Sequence, residues 1–186
     1  MGVHWNAGLM RWKPHKDKVG QTYPLHHLHP FRYGLTLPAQ GLRPVTNVAI
    51  HVGFGMHCFT RRTGEDCCPY DRYEDDREVR SFDRRRYALS HCLPDIARTL
   101  EHRRCAFARN ENFVTLDIQP AEGIPVRYGV FFNVKRWNRQ GGHAILVVIQ
   151  SAYELDVGKS SPARGSIGFK ALIGHILRGT KPKPPP

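Results

Sequence analysis

The chain has 186 residues, 28 Lys and Arg against 16 Asp and Glu for a formal charge of +12, and 40% apolar residues. That length admits one domain with its own core rather than two, and the composition excludes a chain disordered throughout. The longest uninterrupted apolar run, Ala144 to Ile149, falls far short of the ~18 residues a membrane span needs, so no membrane association is expected.

Residues 1–45 carry +5 and are interrupted by Pro14, Pro24, Pro30, Pro38 and Pro44. With no sustained period, they read as a basic, Pro/His-rich N-terminal arm, partly disordered at least to Pro30. The first 30 residues hold no apolar core of a secretory signal. Five cysteines are an odd number. Both features point to reduced thiols and a cytoplasmic protein.

Residues 46–178 read as a single α+β domain. Val45 to Phe54 (VTNVAIHVGF) alternates and is rich in β-formers, a first strand. Residues 61–81 are a polar loop of mixed sign. From Asp83, a helix N-cap, Leu89, Leu93, Ile96, Ala97 and Leu100 fall at helical spacing, with Pro94 breaking the run. Three β-type runs follow: Cys105 to Ile118, interrupted by a turn at Asn110 to Asn112, then Tyr128 to Trp137, then His143 to Tyr153. Ala144 to Ile149 is apolar on both faces, which argues for a central strand. Phe169, Leu172, Ile173, Ile176 and Leu177 share one helical face before Gly179. Residues 179–186 form a basic polyproline tail. The expected architecture is an antiparallel sheet of about four strands in the order β-α-β-β-β-α, with helices packed on one face.

Several groups of side chains have chemistry to offer. In YGVFFNVKRW, Phe131, Asn133 and Lys135 point to one face and Phe132, Val134 and Arg136 to the other. A basic, aromatic sheet edge at Lys135, Arg136 and Trp137 suits RNA, because bases stack on aromatic rings while Lys and Arg hold phosphates. The alternative is that Phe131 and Phe132 are core and Lys135 and Arg136 a solvated strand end. Arg84, Arg85 and Arg86 on the first helix, and Lys181 and Lys183 in the tail, extend the candidate nucleic-acid contacts.

Metal-independent RNA cleavage needs a base, an acid and a cation for the developing phosphate charge. His51, His57 and His143 lie on or beside strands. His57 and His143, with Arg61, Lys135 and Tyr153, form the candidate catalytic set, with Arg136 as a further phosphate clamp. The element order looks like that of barnase- and RelE-type RNase toxins, although no motif of that group is matched and no catalytic residue carries over.

His57-Cys58, Cys67-Cys68, His91-Cys92 and Cys105 offer zinc-type ligands, but adjacent cysteines project apart and the paired C-x₂₋₄-C spacing of structural zinc is missing, so no metal is assigned. The run Tyr73-Glu-Asp-Asp-Arg-Glu78 reads as a solvated loop paired with Arg72, Arg77 and Arg80 rather than a Mg²⁺ site. Gly53-Phe-Gly55 lacks the Lys-Ser/Thr of a phosphate loop, so no cofactor is expected.

HCFTR at 57–61, FDRRRYALSHCLP at 82–94, YGVFFNVKRW at 128–137, QSAYELD at 150–156 and LRGTKPKPPP at 177–186 together resemble a family of short bacterial proteins labelled stationary-phase growth-adaptation proteins, over roughly residues 30–186. The resemblance implies a bacterial cytoplasmic setting and a role in growth or stress control; it carries no mechanism. The leading expectation is an RNA- or nucleic-acid-binding protein. The alternatives are a toxin-type endoribonuclease and a protein-interaction module whose Pro-rich tail docks in a partner's aromatic groove.

Overall fold

The computed structural model describes residues 9–64, 68–108, 113–121, 124–137, 142–156 and 165–182. A short hairpin of β1 (His15–Lys16) and β2 (Thr22–Tyr23) leads into β3 (Phe31–Leu37) and β4 (Thr46–His57). Next come β5 (Thr60–Arg61), β6 (Arg72–Glu74) and β7 (Val79–Phe82), followed by α1 (Arg84–Ser90) and α2 (Leu93–Arg98). The second half comprises β8 (Arg104–Phe107), β9 (Phe113–Ala121), β10 (Ile124–Arg136), β11 (Ala144–Glu154), β12 (Ser166–Gly168) and α3 (Phe169–Leu177). Seven strands form one sheet in the order β12-β8-β9-β10-β11-β4-β3, and β5-β7-β6 form a smaller one.

This corrects the expected four-stranded antiparallel sheet. The chain is mostly strand, and its large sheet is mixed and curls into a half-barrel. β11 runs parallel to β4, the fifth and sixth of the seven strands, Ala144 beside Ala49 and Val147 beside Val52, while the other pairs in this sheet are antiparallel. The continuous apolarity of Ala144 to Ile149 fits this interior position, where all six residues are buried. Pairing shifts register between Phe131 and Phe132 on one side of β11 and between Ile149 and Ser151 on the other. A bulge there adds local twist. Gly55 faces it across the parallel pair, where a Cβ would stand 2.7 Å from the Gln150 carbonyl oxygen.

The described part of the N-terminal segment packs against the rest of the chain. Residues 9–45 are built into the fold. Trp12 is 4% exposed, donates from Nε1 to the Phe54 carbonyl at 3.0 Å and meets Phe59 edge-on. Leu25, Leu28 and Leu35 are buried in the same core. Tyr73 donates its hydroxyl to the Lys13 carbonyl, which ties the segment to β6. Arg84 of α1 ion-pairs with Asp17 at 2.9 Å. Such anchors are too irregularly spaced to show a period, because a hairpin and a 3-10 turn separate them. Pro30 and Pro38 flank β3 without interrupting it.

One face of the large sheet carries Val48, Ile50, Val52 and Phe54 of β4, Ile145, Val147 and Ile149 of β11, and Val130, Phe132 and Val134 of β10, all in the main core. α1, α2 and α3 bring Leu89, Leu93, Ile96, Phe169, Leu172 and Ile173 into that core. Asp83 caps α1 by accepting from Arg86 N–H, which satisfies one of the unpaired amides of the first turn. Pro94 sits in the first turn of α2, where its missing N–H costs nothing. Gly179, with φ +67°, follows α3 as a left-handed stop. Among the described residues no helix is long and apolar enough to cross a membrane.

Candidate nucleic-acid interface

The period of two along each strand sends every second side chain to the face opposite the main core. On that face Arg32 of β3 lies opposite His51 of β4. His51 in turn lies beside Leu146 of β11, and Leu146 faces Lys135 of β10. Residues directly paired share a face, so these four form one row across four strands. The next row is Gly34, Ala49 and Ala144, and beyond it stand Thr36 and Asn47. Trp137, two residues after Lys135, brings its ring 6.0 Å from that of His51. Leu146 and Val148 are buried between these polar neighbours; Arg32, Gly34, Thr36 and Asn47 are exposed.

Two polar atoms on this face are buried without a hydrogen-bond partner, His51 Nε2 and Asn133 Oδ1. Burial, then the Arg32 charge, lowers the His51 pKa below that of a free imidazole. Further along, Phe131 and Tyr153 stack with centroids 5.1 Å apart and planes 14° apart. The Arg86 guanidinium lies 5.0 Å from the Tyr153 ring centre, a cation-π contact. The face thus presents two aromatic stations and a row of cationic and imidazole groups, and among the described residues no Asp or Glu occupies the rows from Thr36–Asn47 to Val148–Asn133.

The expected catalytic set is divided. The His143 carbonyl accepts from Ala49 N–H at the start of the parallel pair, whereas His57 pairs with Ser151 at its end. Eight strand positions separate them, roughly 26 Å. His57, Arg61 and Tyr153 belong to one end of the sheet, and His143 and Lys135 to the other. His57 Nε2 is 2.8 Å from Glu78 Oε1, and Arg61 approaches Asp83 at 3.9 Å.

The arginine triplet is similarly committed within the fold. Arg84 holds Asp17 and the Tyr23 hydroxyl, and Arg85 pairs with Glu154 at 2.7 Å. Arg86 donates to the His57 and Thr60 carbonyls. Of the expected edge, Lys135 and Trp137 share the His51 face, while Arg136, opposite core-facing Ile145, is on the other. Lys181 is exposed; Lys183 lies outside the described residues. Arg32 and Gly34 do not stand out in the sequence, because the prolines around β3 give that stretch the look of an unstructured arm, and Asn47 lies in a legible strand whose partner β3 is not legible. The alternation in Phe31-Arg-Tyr-Gly-Leu-Thr-Leu37 is the one signal that points to them.

Among the described residues no group of three or more His, Cys, Asp or Glu is placed to hold a metal. Cys67 lies outside those residues. Burial pushes the Cys58 and Cys105 thiols up to about 12, so both are packing residues. The acidic run pairs with neighbouring arginines: Arg72 with Glu74, Arg77 with Asp75, and Arg80 with Glu78.

The family model of the YjaZ family matches residues 15–177. No curated protein and no solved structure gives a significant match.

Proposed function

The chain belongs to the YjaZ family, and we propose that it binds single-stranded nucleic acid, RNA foremost, on the face of its large sheet opposite the main core. The observation that carries this reading is the row Arg32–His51–Leu146–Lys135 with Trp137 beside it. Phosphodiesters need cations spaced along a track, and unpaired bases need flat apolar surfaces. A row of Arg, His and Lys next to Trp meets both needs, and the stacked Phe131–Tyr153 pair extends the track. Lys135 and Trp137 are visible in the pattern of β10 alone; the row adds Arg32 and His51. Binding rather than cleavage is the reading because His57 and His143 stand at opposite ends of the parallel pair, and one scissile phosphate cannot meet both.

Fluorescence anisotropy with a labelled 12-nucleotide RNA across 50–300 mM salt tests the proposal. Arg32→Glu with Lys135→Glu is expected to weaken binding at least about tenfold and to flatten the dependence of log Kd on log salt by about 0.7 for each phosphate that the variant no longer neutralises. Trp137→Ala is expected to weaken binding by about 1–3 kcal/mol without changing that slope, since stacking releases no counterions. No binding at 50 mM salt, or binding indifferent to all three substitutions, overturns the proposal. Removing residues 179–186 separates the nonspecific pull of the basic tail from the face, as it changes the slope and leaves the Trp137 effect in place.

A further inference from the structure

We propose that the depression on β3 and β4 at the edge of this face takes a phosphomonoester, specifically the terminal phosphate of a nucleotide. This deepens the nucleic-acid reading and rests on it for the remainder of the bound strand. The depression has a volume of about 510 Å³ and is bordered by Arg32, Gly34, Asn47, Ala49 and His143. That is the size of small-molecule sites, which run about 300–1,000 Å³.

The sequence explains why space exists there. On β3, β4 and β11 the row between Arg32–His51 and Thr36–Asn47 consists of Gly34, Ala49 and Ala144, residues with a hydrogen or a methyl, and it ends at Trp137 beside Ala144. A Cβ added at Gly34 would meet nothing within 4 Å. A gap in a row of side chains is not by itself a site. Its rim supplies the second observation, because Arg32, Asn47 and His143 stand there with no Asp or Glu among the residues that border it.

Arg32 carries a guanidinium with five N–H groups, and among the described residues no Asp or Glu side chain stands on β3, β4 or beside His143. The Asn47 carbonyl oxygen already accepts from the Thr36 hydroxyl at 3.0 Å, which leaves its amide N–H₂ to donate. His143 is exposed at the mouth. His51, across from Arg32 in the adjoining row, does not border the depression. Donors without acceptors select an oxyanion. A monoester, with a charge of about −1.5 to −2 and three terminal oxygens, gains more from this set than a diester with a single charge. Position favours a strand end as well: β3 is the outermost strand of the sheet, so a chain lying across the Lys135–His51–Arg32 row ends at this depression.

The test compares 12-nucleotide RNAs ending in a 5′-phosphate, a 3′-phosphate or hydroxyls only, together with adenosine 5′-monophosphate, adenosine and inorganic phosphate, by calorimetry and by ¹⁵N chemical shifts of the His143 ring. One phosphorylated end is expected to bind about tenfold tighter than the hydroxyl oligomer, and adenosine monophosphate to shift that ring where adenosine does not. Gly34→Val fills the gap with a residue suited to a strand. It is expected to erase the phosphate preference while the hydroxyl oligomer binds as before, and Gly34→Ala, as control, to keep the preference in part. Equal affinity for all three ends, with no ring shift by the monophosphate, overturns the pocket and leaves the sheet-face reading standing if the oligomers bind. Monophosphate binding that Gly34→Val abolishes, with no oligomer binding, upholds the pocket and overturns the sheet face. Inorganic phosphate binding as tightly as the monophosphate overturns the nucleotide assignment.

Discussion

Acid should loosen the fold through His27. This residue sits in a 3-10 turn at His26–Leu28, with Nε2 2.8 Å from Ser90 Oγ. Because Ser90 donates its own proton to the Tyr87 carbonyl, the hydroxyl oxygen must accept from His27, so the neutral ring carries its hydrogen on Nε2. Nδ1 is buried without a partner, and the His91 ring lies stacked at 3.8 Å. Burial, followed by His91, His26 and His29, lowers the His27 pKa from 6.5 to about 4. The folded state therefore binds fewer protons than the unfolded chain, and stability falls as pH drops from 6.5 through 4. Undamped, that gap corresponds to about 3.4 kcal/mol; the ring is half-buried, and solvent screening reduces it to about 1.5 kcal/mol. Urea unfolding at pH 7.5 and at pH 4.5 measures it against His27→Gln, which keeps a donor for Ser90. The wild type should lose about 1.5 kcal/mol more than the variant between the two pH values. Identical losses in the two proteins would refute the assignment of the acid sensitivity to this turn.

Three other substitutions or treatments probe the packing. Gly55→Ala drives a methyl against the Gln150 carbonyl, 2.7 Å away, and is expected to cost about 1–3 kcal/mol in thermal unfolding, whereas Gly34→Ala, with open space above it, stays within about 0.5 kcal/mol. Trp12→Ala removes a buried ring and its bond to Phe54; a loss of about 3–5 kcal/mol is expected, and a change under 1 kcal/mol would show that the N-terminal segment is not anchored in the core. In the native protein at pH 8, Cys58 and Cys105, with thiols pushed up to about 12, should resist a thiol reagent that labels the partly exposed Cys68, and peptide mapping that finds all three reacting at one rate would overturn this.

What can be read from the sequence is local chemistry. Asp83 announces a helix start and Pro94 its interruption, because a cap and a missing N–H act within one turn. Ala144 to Ile149 announces a strand with neighbours on both sides. The partner of that strand is not legible: no short-range pattern shows that it pairs in parallel with β4. Prolines mislead in the opposite direction. Pro30 and Pro38 break helices, yet at the borders of β3 they are compatible with a strand, and Trp12, Leu25 and Leu28 enter the core from irregular backbone. The site is half legible for the same reason. Lys135 and Trp137 stand in a recognisable strand, but Arg32 joins them only once β3 pairs with β4. Counting positive charge overstates Arg84, Arg85 and Arg86, since Asp17, Glu154 and main-chain carbonyls draw them inward.

The parallel contact between β4 and β11 has a consequence for the route to this structure. Antiparallel neighbours such as β9 and β10 are joined by short connections and zip from their turns. β4 and β11 meet only after the whole stretch from Cys58 to His143 has been drawn into place, with the small sheet, α1 and α2 among it. Closing so long a loop has to precede any gain from the parallel pair. The junction that joins β3 and β4 to the rest of the sheet is then the last part to assemble, and until it does, the apolar Ala144–Ile149 strand presents an unpaired edge to other chains. Refolding yield should therefore fall as protein concentration rises, and a β11 peptide added during refolding should compete for β4.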